Sequence, residues 1–268
     1  MPPSRRIGSC EIIPLTDAEG PFFDHRHVAF PEATAEQFAA ADRFDPASAT
    51  DDGHWWLQFR AFAIRSETGV IVVDTGIGPA DSPASTWAPV PGRLPEELAE
   101  AGISPDAVTD VVLTHLHTDH IGWAVTDARP YFRNARYLLQ RSEYDAVDTL
   151  NPQLRDLLLA PLRATDQLTL LDGDARVTES VTITPTPGHT PGHQSVLIEH
   201  ARDLIAVTGD VLVHPVQLLY PDIAYSHESD PVTARRSRSR LLAQVAMRSG
   251  QLATPHLGEP FVTAPTRP

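Results

Sequence analysis

The sequence predicts an α/β protein in which two β-sheets pack face to face and helices cover the outside. Three observations carry that expectation. Short apolar, β-branched segments of strand length recur in both halves of the chain, and helix-length segments with start and stop signals lie between them. In addition, His/Asp clusters fall where strands end, in the loops through which rigid scaffolds usually present reactive side chains.

The elements follow in order. The first fifty or so residues are rich in Pro, Ala, Asp and Phe (Phe22, Phe23, Phe30, Phe38, Phe44) and show little strand pattern. Residues 1–54 therefore read as an N-terminal arm resting on the core or on a partner subunit, with one short helix near Ala33 to Ala41. Residues 55–268 form the core domain. Trp56 to Ile64 alternates as a strand, Glu67-Thr68-Gly69 turns the chain, and Val70-Ile71-Val72-Val73 is a β-branched strand running into Asp74-Thr75-Gly76. Pro95-Glu96-Glu97-Leu98 starts a helix with proline and acids in its first turn, and Gly102 stops it. Asp110 to Thr114 is a buried strand, Tyr131 to Gln140 another, and Ser142-Glu143-Tyr144-Asp145 has the form of a capping box opening a helix. Leu154 to Leu162 is helical. The second half is richer in strands: Gln167 to Leu171, Val181 to Thr184, Ser195 to Glu199 and Leu204 to Thr208. A helix from Pro231 to Arg248 and a short strand near Gln251 to Thr254 complete the core. Within that helix, Arg235-Arg236-Ser237-Arg238-Ser239-Arg240 reads as a solvated face paired with nearby acids.

Composition narrows the function. Apolar residues make up 41% of 268 and charged residues 21%, enough for a sizeable core in one domain. A net charge of −14 argues against a nucleic-acid backbone as partner, while leaving room for small anionic substrates if cations are bound. Cys10 is the only cysteine, so neither an intrachain disulfide nor a thiolate-rich metal site can form. Met1 to Gly20 lacks an apolar run of signal-peptide length, and no stretch approaches the ~20 apolar residues of a membrane span. A soluble cytoplasmic protein is the expectation.

The chemistry concentrates after the strand ending at Thr114. His115-x-His117-x-Asp119-His120 places four metal-capable side chains within six residues, a density that packing does not explain. Zinc takes four or five nitrogen or oxygen ligands at about 2.0–2.2 Å, so one loop cannot complete two shells. His189 (in Thr186-Pro187-Gly188-His189-Thr190-Pro191-Gly192-His193), Asp210 (in Thr208-Gly209-Asp210) and His256 (in Thr254-Pro255-His256-Leu257-Gly258) each follow a strand and together supply what two ions lack.

Thr114-His115-Leu116-His117-Thr118-Asp119-His120-Ile121-Gly122, Pro187-Gly188-His189-Thr190-Pro191-Gly192-His193 and Thr208-Gly209-Asp210 resemble, in order, the motifs of the metallo-β-lactamase superfamily. The resemblance runs from about Trp55 to the C-terminus and makes 55–268 a catalytic domain. It implies an αββα sandwich with a two-metal site, most simply two Zn²⁺, along one edge of the sheets. By the same resemblance His115, His117 and His189 hold one ion, Asp119, His120 and His256 the other, and Asp210 bridges them. A hydroxide between the cations would then attack the substrate, and Asp119 would shuttle a proton to the leaving group. Asp74 resembles the family aspartate that fixes a ligand histidine, although an Asp before Thr-Gly also suits a turn. His193 is expected to support its loop, and His214 to be a polar loop residue.

Several features select the branch. No cysteine stands in the third motif region, as it does in the best-known zinc β-lactamases. His117 stands where iron flavoprotein oxidases of this fold carry glutamate, and only a short tail follows His256, unlike the glyoxalase-type thioesterases. What remains resembles the acyl-homoserine-lactone lactonases and the methyl-parathion-hydrolase-like enzymes. That implies a small lactone or related ester as substrate, with a phosphotriester as the alternative and a mononuclear iron dioxygenase as the competing class. Tyr220 and Tyr225 follow the bridging aspartate, where a phenol could donate to an oxyanion or simply pack. Phe22, Phe23, Trp55, Trp56 and Trp87 are candidates for an apolar pocket wall or for core and dimer contacts. A homodimer through the N-terminal arm is the family expectation.

Overall fold

The structure, a computed structural model, describes residues 4–264. Its first half builds a sheet of seven strands. These are β1 (Arg5–Ile7) and β2 (Cys10–Pro21), then, after the short helices α1 (Arg26–Ala29) and α2 (Ala35–Phe44), β3 (Trp56–Ser66) and β4 (Gly69–Val73). Helix α3 (Leu94–Glu100) leads to β5 (Val108–Val112). A small hairpin, β6 (Val125–Thr126) and β7 (Arg129–Pro130), precedes β8 (Arg136–Gln140), helices α4 (Arg141–Leu150) and α5 (Ala160–Ala164), and β9 (Leu168–Leu171). The spatial order is β1-β2-β3-β4-β5-β8-β9, antiparallel up to β4 and parallel beyond it. The second sheet, β10 (Ala175–Arg176), β11 (Val181–Pro185), β12 (Gln194–His200), β13 (Asp203–Val207), β14 (Gln251–Ala253) and β15 (Phe261–Thr263), runs in chain order. Helices α6 (Pro215–Leu219) and α7 (Pro231–Met247) fill the parallel crossover from β13 to β14.

Strand alternation dictates the layers. Ile12, Phe62, Ile64, Ile71, Val73 and Val112 face Val181, Ile183, Val196, Ile198, Ile205 and Val207 across the gap between the sheets. The alternate residues Ile13, Ala61, Ala63, Val72 and Val111 meet Leu94, Leu98, Val147, Leu158 and Leu162 of the helical layer outside the first sheet. On the far side, Leu197, Leu204, Ala206 and Leu252 meet Leu241, Leu242 and Val245 of α7. The result is the expected αββα sandwich.

Four local expectations need correction. Residues before Trp55 are not poor in strands: β2 is the longest strand and pairs with β3 from Glu11↔Arg65 to Pro21↔Trp56. Pro14, buried Asp17 and the bulge after Thr16 mask its alternation; β1 covers only Cys10 to Ile12, so Pro14 lies on an otherwise open edge that tolerates its missing N–H. The first sheet thus crosses residue 54 without a break. The capping box is absent: α4 starts after Gln140 with no side-chain cap, and Glu143 is wholly buried and engaged elsewhere. Strand β8 occupies only the second half of Tyr131 to Gln140. Finally, Arg238 is not on a solvated face; it is fully buried. The helix near Ala33 does form, with Thr34 and Gln37 closing a reciprocal cap.

Candidate metal centre

Seven donor side chains converge at one edge of the sandwich, from the loops that follow β5, β11, β13 and β14. They form two groups, His115, His117, His189 and Asp210 on one side and Asp119, His120 and His256 on the other. Asp210 faces both. Its Oδ2 lies 3.7 Å from His115 Nε2 and 3.2 Å from His189 Nε2, whereas its Oδ1 lies 3.3 Å from His120 Nε2 and 3.1 Å from His256 Nε2. His117 Nδ1 is 2.9 Å from His189 Nε2. In the second group Asp119 Oδ2 is 3.5 Å from His120 Nε2 and 3.7 Å from His256 Nε2. Ligands about 2.0–2.1 Å from a tetrahedral zinc stand roughly 3.3–3.4 Å from one another. Each group therefore has the dimensions of one coordination shell.

Hydrogen bonds behind the rings fix which nitrogens face inward. A carbonyl only accepts, so His256 Nδ1 carries the proton that it gives to Gln58 O, 2.8 Å away. His120 Nδ1 gives its proton to Asp74 Oδ2 at 2.8 Å. Thr114 donates its N–H and its hydroxyl to Asp74, at 2.7 and 2.8 Å, which leaves Thr114 Oγ1 to accept from His115 Nδ1 at 3.0 Å. All three Nε2 atoms then present lone pairs. Those of His120 and His256 point at each other across 3.3 Å, beside two carboxylate oxygens. Such a convergence of acceptors is stable only around positive charge, and His115 Nε2 and Asp210 Oδ1 are buried with no hydrogen-bond partner. The donor set fits two divalent cations.

The charges of the donor residues themselves set the titration of their neighbours. Burial opposes charge on His120, but Asp210, Asp119 and Asp74 together outweigh it and hold its pKa well above the ordinary histidine value; His256 is raised by the same opposition, chiefly through Asp210. Burial also works against Asp210, yet the His120, His256 and His189 rings keep its carboxyl well below the usual range. In the first group, burial and the neighbouring imidazoles push His115 far down and His117 to about 3. Both stay neutral, the form that ligates.

Each donor loop is held by a buried polar group. Asp74 sits in the left-handed region (φ 60°) at the end of β4 and aims its carboxylate at the His115 loop. Glu143 accepts from Leu116 N at 3.0 Å and Gly192 N at 2.8 Å, tying the loops of His117 and His189 together. Arg60 donates to the carbonyls of Thr254, Leu257 and Gly258 and so shapes the turn that carries His256. His193 is a support, as expected. Asp210 N donates to His193 Nε2 at 2.8 Å; His193 Nδ1 must then donate to Thr186 Oγ1, which donates to Ser195 Oγ, which donates to Thr208 O. Gly209 (φ 51°) lies against this relay, and a Cβ there would meet His193 Nε2 at 2.6 Å.

A cavity of about 220 Å³ opens over the donors. His117, Asp119, His189, Asp210 and His256 form its floor, and Phe22, Phe23, Trp55, Leu57, Trp87, Val213, Tyr225 and His227 contribute to its walls. The wall is an aromatic cluster: Phe22 stacks on Trp55 at 4.1 Å, and Trp87 donates from Nε1 to Thr118 Oγ1 at 3.0 Å. Tyr225 lies parallel to the His189 ring, 6.0 Å away. Burial, reinforced by Asp210 and Asp119, raises its pKa well above that of a free phenol. Tyr220 is not among the lining residues; it packs beside the aromatic cluster while its N–H closes α6. Trp56 also stays outside the lining, although its neighbours Trp55 and Leu57 belong to it. His214 is no loop residue in solvent but the buried N-cap of α6. Sequence reasoning did not single out Leu57, Thr118, Asn151, Val213 or His227 for the lining; only spatial closure brings them there.

A family description, that of the metallo-beta-lactamase superfamily, matches residues 55–256. The chain belongs to this superfamily. Among its relatives, an N-acyl homoserine lactonase of Bacillus cereus is 29% identical, over 56% of this chain and 62% of the relative. The lactonase AttM of Agrobacterium fabrum is 31% identical, over 51% and 58%. The matches thus span less than two thirds of these relatives' own length. Among solved structures, the dizinc quorum-quenching lactonase AidC, in complex with a product, superposes with a TM-score of 0.79 at 22% identity, over 99% of this chain and 94% of that one. At that identity the likeness is one of fold. Among the described residues no helix is long and apolar enough to cross a membrane.

Proposed function

We propose that this member of the superfamily hydrolyses a compact lactone or related ester with two divalent cations, zinc in the first instance. One observation carries the reading: the two oxygens of Asp210 face two complete donor groups on the floor of an apolar cavity. Names of relatives that act on N-acyl homoserine lactones support the same substrate class. His115, His117 and His189 would hold one cation and Asp119, His120 and His256 the other, with the Asp210 carboxylate available to both. When bound, the cations supply Lewis acidity and a hydroxide near neutral pH.

The remaining chemistry belongs to the chain. The aromatic wall excludes water and takes the apolar part of the substrate, and the small volume favours compact molecules. Tyr225 remains a neutral phenol and donates to the oxyanion that develops on the carbonyl. Asp119 approaches the ligand rings most closely through Oδ2, and Asp119 lines the cavity, so its Oδ1 is the oxygen that holds the proton on its way to the leaving alkoxide. Tyr220 keeps a packing role. Pairing of two copies through the N-terminal segment, where Phe23, Val28 and Phe44 are exposed, belongs to the same reading; light scattering that finds a monomer would remove it.

The test is turnover after zinc reconstitution on a panel of lactones, aryl esters, phosphotriesters and β-lactams. Lactones leading the panel, with two zinc per chain, support the proposal. Phosphotriesters leading it would transfer the site to the alternative chemistry, and one iron per chain with oxygen consumption would overturn hydrolysis.

A further inference from the structure

The Arg238 side chain is the least expected feature of the sandwich. It belongs to the arginine-rich turn of α7, yet it is fully buried, and its guanidinium is spent on one neighbouring segment. Nε donates to Pro221 O at 2.9 Å, Nη1 to Val211 O at 3.0 Å and Nη2 to Ile223 O at 3.0 Å. Nη1 also meets Glu228 Oε1 at 2.7 Å, in an ion pair whose acid is equally buried. Gln217 joins them, donating to Glu228 Oε1 and Ile223 O and accepting from Val213 N. Three carbonyls twelve residues apart are thereby gathered around one planar fork, a geometry that a lysine ammonium cannot reproduce.

That segment, 211–228, is the cavity wall bearing Val213, Tyr225 and His227. Its far end reaches the other side of the site: Glu228 N donates to Tyr225 O, Ser229 N to His189 O and Asp230 N to Gly188 O. Helix α7 holds the same loop directly. Ser237 Oγ donates to Pro187 O at 2.6 Å, and the backbone of Ala234 comes so near Gly188 that a Cβ there would lie 2.1 Å from Ala234 N. Tyr225 and His189, the parallel pair of rings, are thus referred to one anchor.

We infer that Arg238, with Glu228, is a positioning residue that fixes the Tyr225 wall relative to the His189 loop and so sets substrate discrimination and rate without touching substrate. The inference rests on the hydrolase reading for its kinetic arm only. In a buried pair, loss of one partner strands the other charge, whereas removal of both is often tolerated. The test is therefore the double variant Arg238→Met/Glu228→Gln, with Arg238→Lys as a second variant that keeps the charge and loses the fork. The full-length, zinc-loaded protein is used for each.

Zinc content should remain at two per chain, and amide exchange in 211–228 should quicken at least tenfold while β4 and β5 stay protected. The kcat/KM for the best panel substrate should fall at least tenfold, and the ratio between best and second-best substrates should shrink at least threefold. If the double variant does not fold, the same readouts on Arg238→Lys decide. Unchanged exchange in 211–228 with kcat/KM within twofold of the parent would overturn the inference. Should the parent show no turnover at all, the hydrolase reading fails, and exchange alone still judges the anchor.

Discussion

Asp74→Asn isolates one cation from the other. Asp74 accepts three hydrogen bonds, from Thr114 N, Thr114 Oγ1 and His120 Nδ1. An amide keeps one acceptor and introduces a donor. If its NH2 faces Thr114, two N–H groups oppose each other in a fully buried site. If it faces His120, the ring must move its proton to Nε2, the atom that points into the Asp119/His256 group, and ceases to be a ligand there. The first arrangement strains the Thr114 backbone and leaves His120 its acceptor; the second keeps Thr114 N satisfied and weakens the His120 site by about 1–3 kcal/mol, the range for an unsatisfied buried polar group, or roughly 10–100-fold in affinity, and it is the one expected here. The loss should fall on the second cation alone, because His117 and His189 do not contact Asp74 and His115 reaches it only through Thr114. Competition with a chromophoric chelator, read as two successive zinc affinities, measures this. The variant should keep its tighter site within about threefold and lose one to two decades at the other. Equal weakening of both sites, or of neither, refutes the assignment of His120 to a separate group.

The other predictions are briefer. Asp210→Ala removes the carboxylate that offers one oxygen to each group, so it should abolish turnover and reduce bound zinc below two per chain; near-normal rates would rule out the bridging role. Tyr225→Phe should lower kcat by about 100–1000-fold with zinc content unchanged, as expected for one lost oxyanion donor, while Tyr220→Phe should change it less than about twofold. Kinetics of both variants on one lactone decide the matter. His214 is held neutral by burial, with Arg26 adding to the effect, down to a pKa of about 3. The unfolded chain takes up that proton below about pH 6.5 and the folded chain does not, so stability drains away as pH falls from about 6.5 towards 3. Between pH 7 and pH 5 this amounts to roughly 2 kcal/mol. His214→Asn retains a cap for Val216 N, and the stability gap between parent and variant in urea titrations should narrow by about that amount at pH 5. A gap that stays constant with pH would show that His214 does not titrate between the states.

The convergence of the seven donor side chains was legible because metal chemistry restricts residue types and because strand-end loops bring distant motifs to one edge. Asp74 could be read for a similar reason, since only a short polar side chain accepts left-handed backbone at low cost before Thr-Gly. Strand β2 was not legible: Pro14, Asp17 and Gly20 each break its pattern, and each is tolerated for a tertiary reason. Asp17 is buried because it accepts from the backbone of Ile77 and Leu94 and from Trp123 Nε1, contacts no local window reveals. The same holds for Glu143 and Arg238. Both sit on helices at positions where a charge normally faces water, and both are drawn inward by backbone groups far away in sequence. A rule that assigns helical charges to solvent fails where a loop must be fastened.

The donors come from both halves of the sandwich: His115 to His120 follow a strand of the first sheet, and His189, Asp210 and His256 follow strands of the second. Cations held there would act as rivets through the seam. Near this edge hydrogen bonds already cross between the sheets, from Gln194 to Thr114 O, Leu113 O and Leu138 O and between His256 and Gln58, and bound cations would add to them. Loading the centre should make the two layers unfold as one body, and the gain in melting temperature should grow with free zinc.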